Sequence, residues 1–261
     1  MNLEIRSLRA GYGANRVIDG VDFRVESGSI TALLGPNGCG KSTLLKVIGR
    51  LLAPESGQVL LDGKSIRDFD TKVLAESLAI LPQLHHAPGE TTVEELVEYG
   101  RYPRRKNGFV LSVHDREVID RVIAMTSLET LRKRPVRTLS GGERQRAWIA
   151  LTLAQEPEVL LLDEPTTFLD VCCQFEVIDL IRRLNRECGI TVLMVLHDLN
   201  LAASCADRML MLKDGGIRYA GTPQEVMKPA ILEEIFRIRA EVIRLPGGTP
   251  HCIPTGSLRR G

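Results

Sequence analysis

Short apolar runs and alternation with a period of two dominate the first third of the chain. These patterns predict strands within residues 3–8, 17–25, 29–34 and 58–61, separated by turns rich in glycine and aspartate. The run at residues 42–49 has helical spacing instead and ends at Gly49. The chain therefore begins with a sheet, and its third strand leads through a glycine-rich loop into a helix.

The periodicity becomes helical between residues 92 and 155 and then alternates between strand and helix. Helices are predicted at residues 93–99, 113–126, 140–155, about 172–187 and 199–205, and strands at 159–162, 191–196 and 208–212. Such alternation predicts an α/β fold with a mainly parallel core. We expect one domain over residues 1–261. Its parts would be a core with a β subdomain (1–91 and 156–225), a helical subdomain (92–155) and a C-terminal extension (226–261).

Composition narrows the class of protein further. The 261 residues are 44% hydrophobic and 26% charged, and 34 Lys+Arg against 33 Asp+Glu leave a formal net charge of +1. This excludes disordered and collagen-like chains, and it offers no electrostatic case for nucleic acid as a partner. No apolar run is long enough to cross a bilayer, and the first residues show no secretory signal. We therefore expect a chain that stays in the cytosol.

The loop after the third strand matches the pattern GxxxxGK[ST] in full. Its residues are Gly35, Pro36, Asn37, Gly38, Cys39, Gly40, Lys41, Ser42 and Thr43. Glycines let backbone N–H groups converge on a phosphate at a helix N-terminus, while the lysine bridges the β- and γ-phosphates and Ser42 ligates Mg²⁺. The alternative is a glycine-rich turn with a chance lysine, which the flanking strand and helix disfavour.

Two further segments complete the set of candidate catalytic and binding residues. Asp163 and Glu164 end an apolar strand, where one carboxylate can hold Mg²⁺ through water and the other can polarise an attacking water, although acidic turn residues are also common there. The segment Leu139, Ser140, Gly141, Gly142 and Glu143 fits a capping box before a helix. Its two glycines lower helix propensity, which favours a second anion-binding helix start over a cap alone.

In this order and spacing, the three motifs resemble the ATP-binding cassette family. The resemblance implies a P-loop NTPase cassette fold, with a mixed sheet core, an antiparallel β subdomain and an inserted α-helical subdomain. It extends to Tyr12 as the adenine-stacking aromatic, Gln83 as a ligand near Mg²⁺, Asp170 in the loop after Glu164, and His197 as the switch histidine. Locally, Tyr12 could instead pack under a turn, Gln83 could be a polar strand end, and His197 a core histidine.

The family's architecture implies how these residues act. Glu164, His197, Gln83 and Lys41 would be catalytic, and Ser42, Gln83 and Asp163 would hold Mg²⁺. Two copies would pack head to tail, so that Ser140–Gly142 of one copy closes over the ATP of the other. The resemblance thus implies a homodimer with two composite sites, with ATP as substrate and Mg²⁺ as cofactor.

Several longer segments are similar to the ATPases of importers for ferric siderophores, haem and vitamin B12. They are GRYP, LSGGERQRAWIALTLAQ, DEPTTFLD, HDLNLAA, GTPQEV and the final CIP. This implies an ATP-hydrolysing subunit at the cytoplasmic face of the inner membrane, with two permease subunits and, indirectly, a periplasmic or lipoprotein binding protein. The alternatives are another importer or exporter ATPase and a non-transport cassette protein.

The roles of two basic clusters and of three cysteines are less specific in the sequence. Arg101, Arg104, Arg105 and Lys106 could form a solvated turn or contact a partner or lipid surface, while Arg132, Lys133, Arg134 and Arg137 indicate solvated charge. Cys172 and Cys173 stand where the family usually has a histidine before Gln174, as packing residues or in redox control. At a helix N-terminus, Cys39 is expected to have a lowered thiol pKa.

Overall fold

Each strand predicted from the apolar pattern is present in the computed structural model, which describes residues 1–83, 86–105 and 110–258. The chain divides into a first unit of Met1–Arg67 with Thr191–Gly261 and a second unit of Asp68–Ile190. The predicted subdomain limits at residues 91, 155 and 225 stay predictions.

An antiparallel sheet in the first unit has the order β2-β1-β4-β5. Its strands are β1 (Leu3–Tyr12), β2 (Asn15–Val25), β4 (Ser56–Leu61) and β5 (Lys64–Ser65). The buried positions of β1 change parity between Ile5 and Leu8, because the register shifts there and Ser7 adopts a φ of 45°. This irregularity keeps both halves of the strand facing the core.

A mixed sheet in the same unit contains β3 (Ile30–Leu34), β8 (Thr191–Val195), β9 (Arg208–Lys213) and β10 (Gly216–Gly221). Strand β3 pairs in parallel with both β8 and β9, while β10 returns antiparallel to β9. All five side chains of β3 are buried, as expected for the centre of a sheet. The remaining elements of the unit are α1 (Lys41–Ile48), α7 (Leu199–Cys205), α8 (Pro223–Val226), α9 (Pro229–Phe236) and the hairpin of β11 (Ile238–Arg244) and β12 (Pro250–Ser257).

The second unit is mainly helical and contains one pair of parallel strands among its described residues. The strands are β6 (Leu78–Leu81) and β7 (Val159–Asp163), and the helices are α2 (Thr71–Ser77), α3 (Val93–Tyr99), α4 (Val113–Met125), α5 (Gly141–Leu153) and α6 (Val171–Cys188). The expected α/β class, with a mixed sheet, an antiparallel sheet and helices inserted between strands, is confirmed. No helix in the described part of the chain is long and apolar enough to span a membrane.

The sequence patterns missed β6, α2, α9 and the β11–β12 hairpin. The short helix α2 runs directly into the short strand β6, so neither the helical nor the strand periodicity continues long enough to be recognised. In the hairpin, β11 does alternate between half-buried and exposed positions, but β12 contains two prolines and a glycine and is buried only at Pro250 and Cys252, so its strand pattern is weak.

Arg101 is the most deeply buried charged residue in the described part of the chain, at 1% exposure. Its guanidinium donates to Asp115 Oδ1 at 2.8 Å, to Glu156 Oε2 at 2.8 Å and to the Ala154 carbonyl at 2.7 Å. Both alternatives for this residue, a solvated turn and a partner surface, are therefore wrong. These three acceptors, two of them carboxylates, compensate for the removal of the guanidinium from water.

Arg104 and Arg105 of the basic segment are half-buried and donate to backbone carbonyls, Arg105 to that of Glu98 at 2.8 Å. The Arg104 guanidinium donates to the Gln155 carbonyl at 2.6 Å and to the Glu76 carbonyl at 2.9 Å, so it closes helix ends within the second unit. Lys106 lies outside the described residues. The other basic cluster stays at the surface, where Arg132 and Lys133 pair with Glu94.

Replacing Arg101 by methionine should lower the free energy of unfolding by about 3–5 kcal/mol, because Asp115 would then be a buried charge without its partner. The matched control is Arg121→Met, since Arg121 pairs with Glu156 at 2.7 Å but its side chain is 56% exposed; it should cost less than about 1 kcal/mol. Urea unfolding measures both changes, and equal losses would contradict a special role for the buried pair.

Asp115 makes stability depend on pH in a defined direction. Burial raises its pKa, but hydrogen bonds from Ser112 and Arg101 outweigh that effect and lower it from 3.8 to about 2. A carboxyl with a lowered pKa in the folded state stabilises the fold above its unfolded pKa and loses that contribution as pH falls through the folded value.

The stability difference between the unmodified chain and Asp115→Asn should therefore be constant from pH 7 to about pH 5 and shrink below about pH 4. Chemical unfolding across this range measures it. A difference that stays constant to pH 3 would show that the carboxylate charge is not what Arg101 and Ser112 stabilise.

Candidate active site

The loop between β3 and α1 has a backbone that excludes side chains at two glycines. A Cβ on Gly35 would lie 2.1 Å from the Leu212 carbonyl oxygen, so β9 approaches the loop too closely for any other residue. Gly40 is the N-cap of α1 with a φ of 108°, and it provides no side chain to cap the helix. The first-turn N–H groups of α1 are thus left without a side-chain cap, as an anion-binding helix start requires.

Lys41 lies almost entirely inside this loop, at 5% exposure. Its Nζ donates to the carbonyl oxygens of Gly35 at 2.8 Å and Pro36 at 3.0 Å. The loop therefore holds a positive charge at its centre, next to the helix N-terminus. Ser42 and Thr43 follow in the first turn of α1, where the sequence placed them.

A cavity of about 450 Å³ opens beside the loop. From the loop, Pro36, Asn37, Gly38 and Cys39 line it, and the β1–β2 hairpin contributes Asn15 and Arg16. Tyr12 pairs with Asn15 across that hairpin and is half exposed, so the tyrosine stands at the strand end that borders the cavity. Sequence reasoning missed Asn15 and Arg16, although they lie only two and three residues beyond the GYG segment.

The thiol pKa of Cys39 differs from the expected one. Burial raises the pKa of its thiol, despite the opposing charge of Lys41. The expectation of a lowered pKa is wrong, because the side chain packs toward Gly35 instead of facing solvent at the helix start: a Cβ on Gly35 would lie 2.8 Å from its Sγ.

His197 lies at the same sheet edge as the loop. Leu33 of β3 and Val195 of β8 are parallel partners, and the Leu196 N–H donates to the Leu33 carbonyl at 3.2 Å. Gly35 and His197 each follow this pair by two residues, and the His197 side chain is exposed. It is therefore at a strand end and does not belong to the core.

A second pair of strand ends, in the second unit, joins Gln83 to Glu164. Leu81 and Leu162 are parallel partners in β6 and β7, and Gln83 and Glu164 each follow this pair by two residues. Gln83 Nε2 donates to Glu164 Oε2 at 2.6 Å, and Thr167 Oγ1 donates to the same oxygen at 3.0 Å. Glu164 itself adopts a left-handed φ of 55°. The carboxylate is thus held in one direction by two side-chain donors and a constrained backbone, next to the buried Asp163.

The predicted capping box at α5 is present in both directions. The Ser140 N–H donates to Glu143 Oε2 at 2.8 Å, and the Glu143 N–H donates to Ser140 Oγ at 3.3 Å. Hydrogen bonds to the Glu143 carboxylate from the backbone N–H and the side chain of Ser140 lower the pKa of Glu143. Ser140 and Gly141 are exposed, whereas Leu139 and Gly142 are buried.

Contacts within the chain leave no room for a side chain at Gly142. A Cβ at this position would lie 2.7 Å from Cys173 Sγ, and one on Gly141 would lie 3.3 Å from Leu169 Cδ2. Cys173 therefore packs against the start of α5, which supports a packing role for it. Asp170 caps α6 by accepting from the Cys173 N–H at 2.8 Å, and this bond lowers the pKa of Asp170.

The comparisons with known proteins cover nearly the whole chain. The family model described as ABC transporter matches residues 18–167. The iron(3+)-hydroxamate import ATP-binding protein FhuC of Bacillus subtilis is 46% identical over 97% of this chain and 94% of its own length. The achromobactin transport ATP-binding protein CbrD of Dickeya dadantii is also 46% identical, over 96% and 94%.

Another relative is the ferric enterobactin transport ATP-binding protein FepC of Escherichia coli, 42% identical over 95% of this chain and 92% of its own. Among solved structures, an inward-facing metal-chelate type ABC transporter is 27% identical with a TM-score of 0.84, over 97% of this chain and 96% of that one. The dimeric, ADP- and Pi-bound cassette MJ0796 is 29% identical with a TM-score of 0.74, over 84% and 98%.

The family model spans the phosphate loop, the capping box and the Asp163–Glu164 strand end, and the relatives extend the match to almost every residue. The chain therefore belongs to the ABC transporter family, among its ATP-binding proteins.

Proposed function

We propose that this chain is the ATP-hydrolysing subunit of an importer for iron chelates, with ferric siderophores as its first candidates. The names of FhuC, CbrD and FepC assign those relatives to hydroxamate, achromobactin and enterobactin transport. Their high identity over nearly equal lengths supports the same task here. Haem and cobalamin are the other candidate substrates, because the sequence also resembles the ATPases of importers for these compounds.

ATP binds at the loop from Gly35 to Thr43 in this proposal. The uncapped start of α1, the buried Lys41 ammonium and the adjoining 450 Å³ cavity match a triphosphate followed by a nucleoside. Tyr12 is assigned to adenine stacking, and His197 to the γ-phosphate. Asn15 and Arg16 are additional candidates for contacts beyond the phosphates.

Mg²⁺ fits the oxygen donors of this chain. Ser42, Gln83 and Asp163 offer a hydroxyl, an amide carbonyl and a carboxylate. Mg²⁺ takes oxygen ligands of this kind, a few from the protein and the others from water and substrate phosphates. When bound, the ion would neutralise charge on the β- and γ-phosphates.

The observation that carries the hydrolase assignment is the Gln83–Glu164 hydrogen bond of 2.6 Å. Gln83 and Thr167 both donate to Oε2 of Glu164, so its carboxylate is held in a fixed direction directly after β7. We assign Glu164 to polarising the attacking water and Gln83 to holding it in place.

A homodimer completes the proposed site. Ser140 and Gly141 are exposed at the start of α5, and beside them Phe168 is 90% exposed and Val171 is exposed. Leu139, Ser140, Gly141, Gly142 and Glu143 of one copy would close over the ATP of the other, with Asp170 in the adjoining loop. The similar cassette MJ0796 was solved as a dimer, which supports a homodimer here.

The remaining partners are two integral membrane permease subunits, at the cytoplasmic face of the membrane, and indirectly a periplasmic or lipoprotein binding protein. No nucleic-acid partner is proposed, in keeping with the net charge of +1. The competing functions are an ATPase for another importer or an exporter, and a non-transport cassette protein.

Glu164→Gln should keep ATP binding but lower the hydrolysis rate by about 10²–10⁴-fold, because an amide cannot accept a proton from water. It should also accumulate as an ATP-bound dimer in sedimentation velocity. Glu187→Gln, at an exposed position on α6, is the control and should match the unmodified chain. Undiminished hydrolysis would remove Glu164 from its role.

The same pair of variants tests the transport function. Proteoliposomes containing this chain, with the permease subunits that co-purify with it and the matching binding protein, should accumulate a labelled ferric siderophore on addition of ATP. Glu164→Gln should abolish that uptake, and Glu187→Gln should not. ATP-dependent uptake of cobalamin or haem alone would change the substrate, and no uptake of any of the three would contradict the importer proposal.

Gly35→Ala should weaken ATP binding at least about tenfold. The new Cβ would lie 2.1 Å from the Leu212 carbonyl oxygen and would therefore force the loop away from β9. Gly63→Ala is the control: Gly63 has a φ of 82° but nothing lies within 4 Å of its Cβ position. Titration with a fluorescent ATP analogue measures both, and unchanged affinity in Gly35→Ala would contradict the loop as the binding site.

A further inference from the structure

The C-terminal hairpin β11–β12 lies against α7 in the first unit, and one side chain joins them. Strand β12 pairs antiparallel with β11, with Cys252 opposite Val242. Cys252 is 2% exposed, so its backbone polar groups are shielded from water. The HDLNLAA and CIP segments, which the proposed function leaves without a structural role, meet at this point.

Asn200 of α7 satisfies both backbone groups of Cys252. The Cys252 N–H donates to Asn200 Oδ1 at 2.7 Å, and Asn200 Nδ2 donates to the Cys252 carbonyl at 3.0 Å. His251 Nε2 lies 3.4 Å from the same Nδ2. The carboxamide therefore pairs with β12 as the peptide group of a neighbouring strand would.

This pairing has no substitute within the hairpin. In an antiparallel ladder the N–H and C=O of one residue point to the same side, and those of Cys252 point to Asn200, away from β11. Without the carboxamide, a buried donor and a buried acceptor would lose their partners, which is costly. The hairpin and α7 are thus bound together by two specific hydrogen bonds.

The backbone of Asn200 continues the connection toward His197. The N–H groups of Asn200 and Leu201 donate to Asp198 Oδ1 at 2.7 and 2.8 Å, so Asp198 is the N-cap of α7. His197 directly precedes that cap and follows β8. A short series of contacts therefore runs from Cys252 through Asn200 and Asp198 to the backbone of His197.

We propose that Asn200 is a positioning residue for His197, and that the C-terminal hairpin is thereby part of the hydrolysis machinery. Asn200 fixes the first turn of α7 against β12, and the Asp198 cap transmits that position to the preceding residue. The imidazole of His197 then leaves the sheet edge in a defined direction. The catalytic part of this inference rests on the proposed ATP hydrolysis.

The test compares Asn200→Ala with Ser204→Ala. Ser204 lies on the same helix and donates to the Leu201 carbonyl at 2.7 Å, so it loses a local hydrogen bond without touching β12. In Asn200→Ala the kcat for ATP should fall about tenfold or more, with the KM for ATP within about twofold, since a displacement of about 1 Å can cost about 100-fold. Ser204→Ala should keep both constants.

A spectroscopic readout separates positioning from a general loss of stability. The imidazole resonances of His197, assigned by comparison with His197→Ala, should shift in Asn200→Ala and stay in place in Ser204→Ala, at a temperature where each variant is fully folded. The His197→Ala, Asn200→Ala double variant should be no slower than His197→Ala alone, because the asparagine acts through the histidine.

An unchanged kcat in folded Asn200→Ala would overturn the proposal, and so would a lower kcat with unshifted His197 resonances. If the unmodified chain hydrolyses no ATP, the proposed function fails instead. The resonances still decide whether Asn200 positions His197, because they are recorded without nucleotide.

Discussion

Parallel strand pairing is the constraint on which the candidate site depends. Where two parallel strands are neighbours, their carboxyl ends reach the same edge of the sheet, so residues at equal offsets beyond a registered pair lie close together. The pair Leu33–Val195 carries Gly35 and His197, and the pair Leu81–Leu162 carries Gln83 and Glu164, each by an offset of two residues. Buried apolar strands thereby place polar side chains that are far apart in the sequence.

The carboxylates near the site fall into two groups, according to whether backbone N–H groups or side chains donate hydrogen bonds to them. Glu143, Asp170 and Asp198 accept hydrogen bonds from N–H groups at the starts of α5, α6 and α7, and so they organise helices. Glu164 instead receives side-chain donors at a strand end. The three capping carboxylates therefore stabilise helix starts, whereas Glu164 is fixed by side chains at a strand end, where the proposed function assigns it to the attacking water.

Much of the fold and site could be predicted from the sequence, because the signals are local. The phosphate loop shows its glycines and lysine in one segment, the capping box spans four residues, and buried strands appear as apolar runs. The charged residues were harder to interpret. Arg101 looks like its basic neighbours in the sequence, and its burial depends on Asp115 and Glu156, which reach it from other elements.

The sequence by itself determined the element types, the anion-binding loop and the residues able to carry ATP chemistry, since these follow from periodicity, turn chemistry and spacing. Tertiary structure decided which of them meet: the Gln83–Glu164 hydrogen bond, the raised pKa of Cys39, the packing of Cys173 on Gly142, and the contact of Asn200 with Cys252. The physical reason is that burial, desolvation and through-space hydrogen bonding depend on residues from distant segments, and no local pattern records which segments will become neighbours.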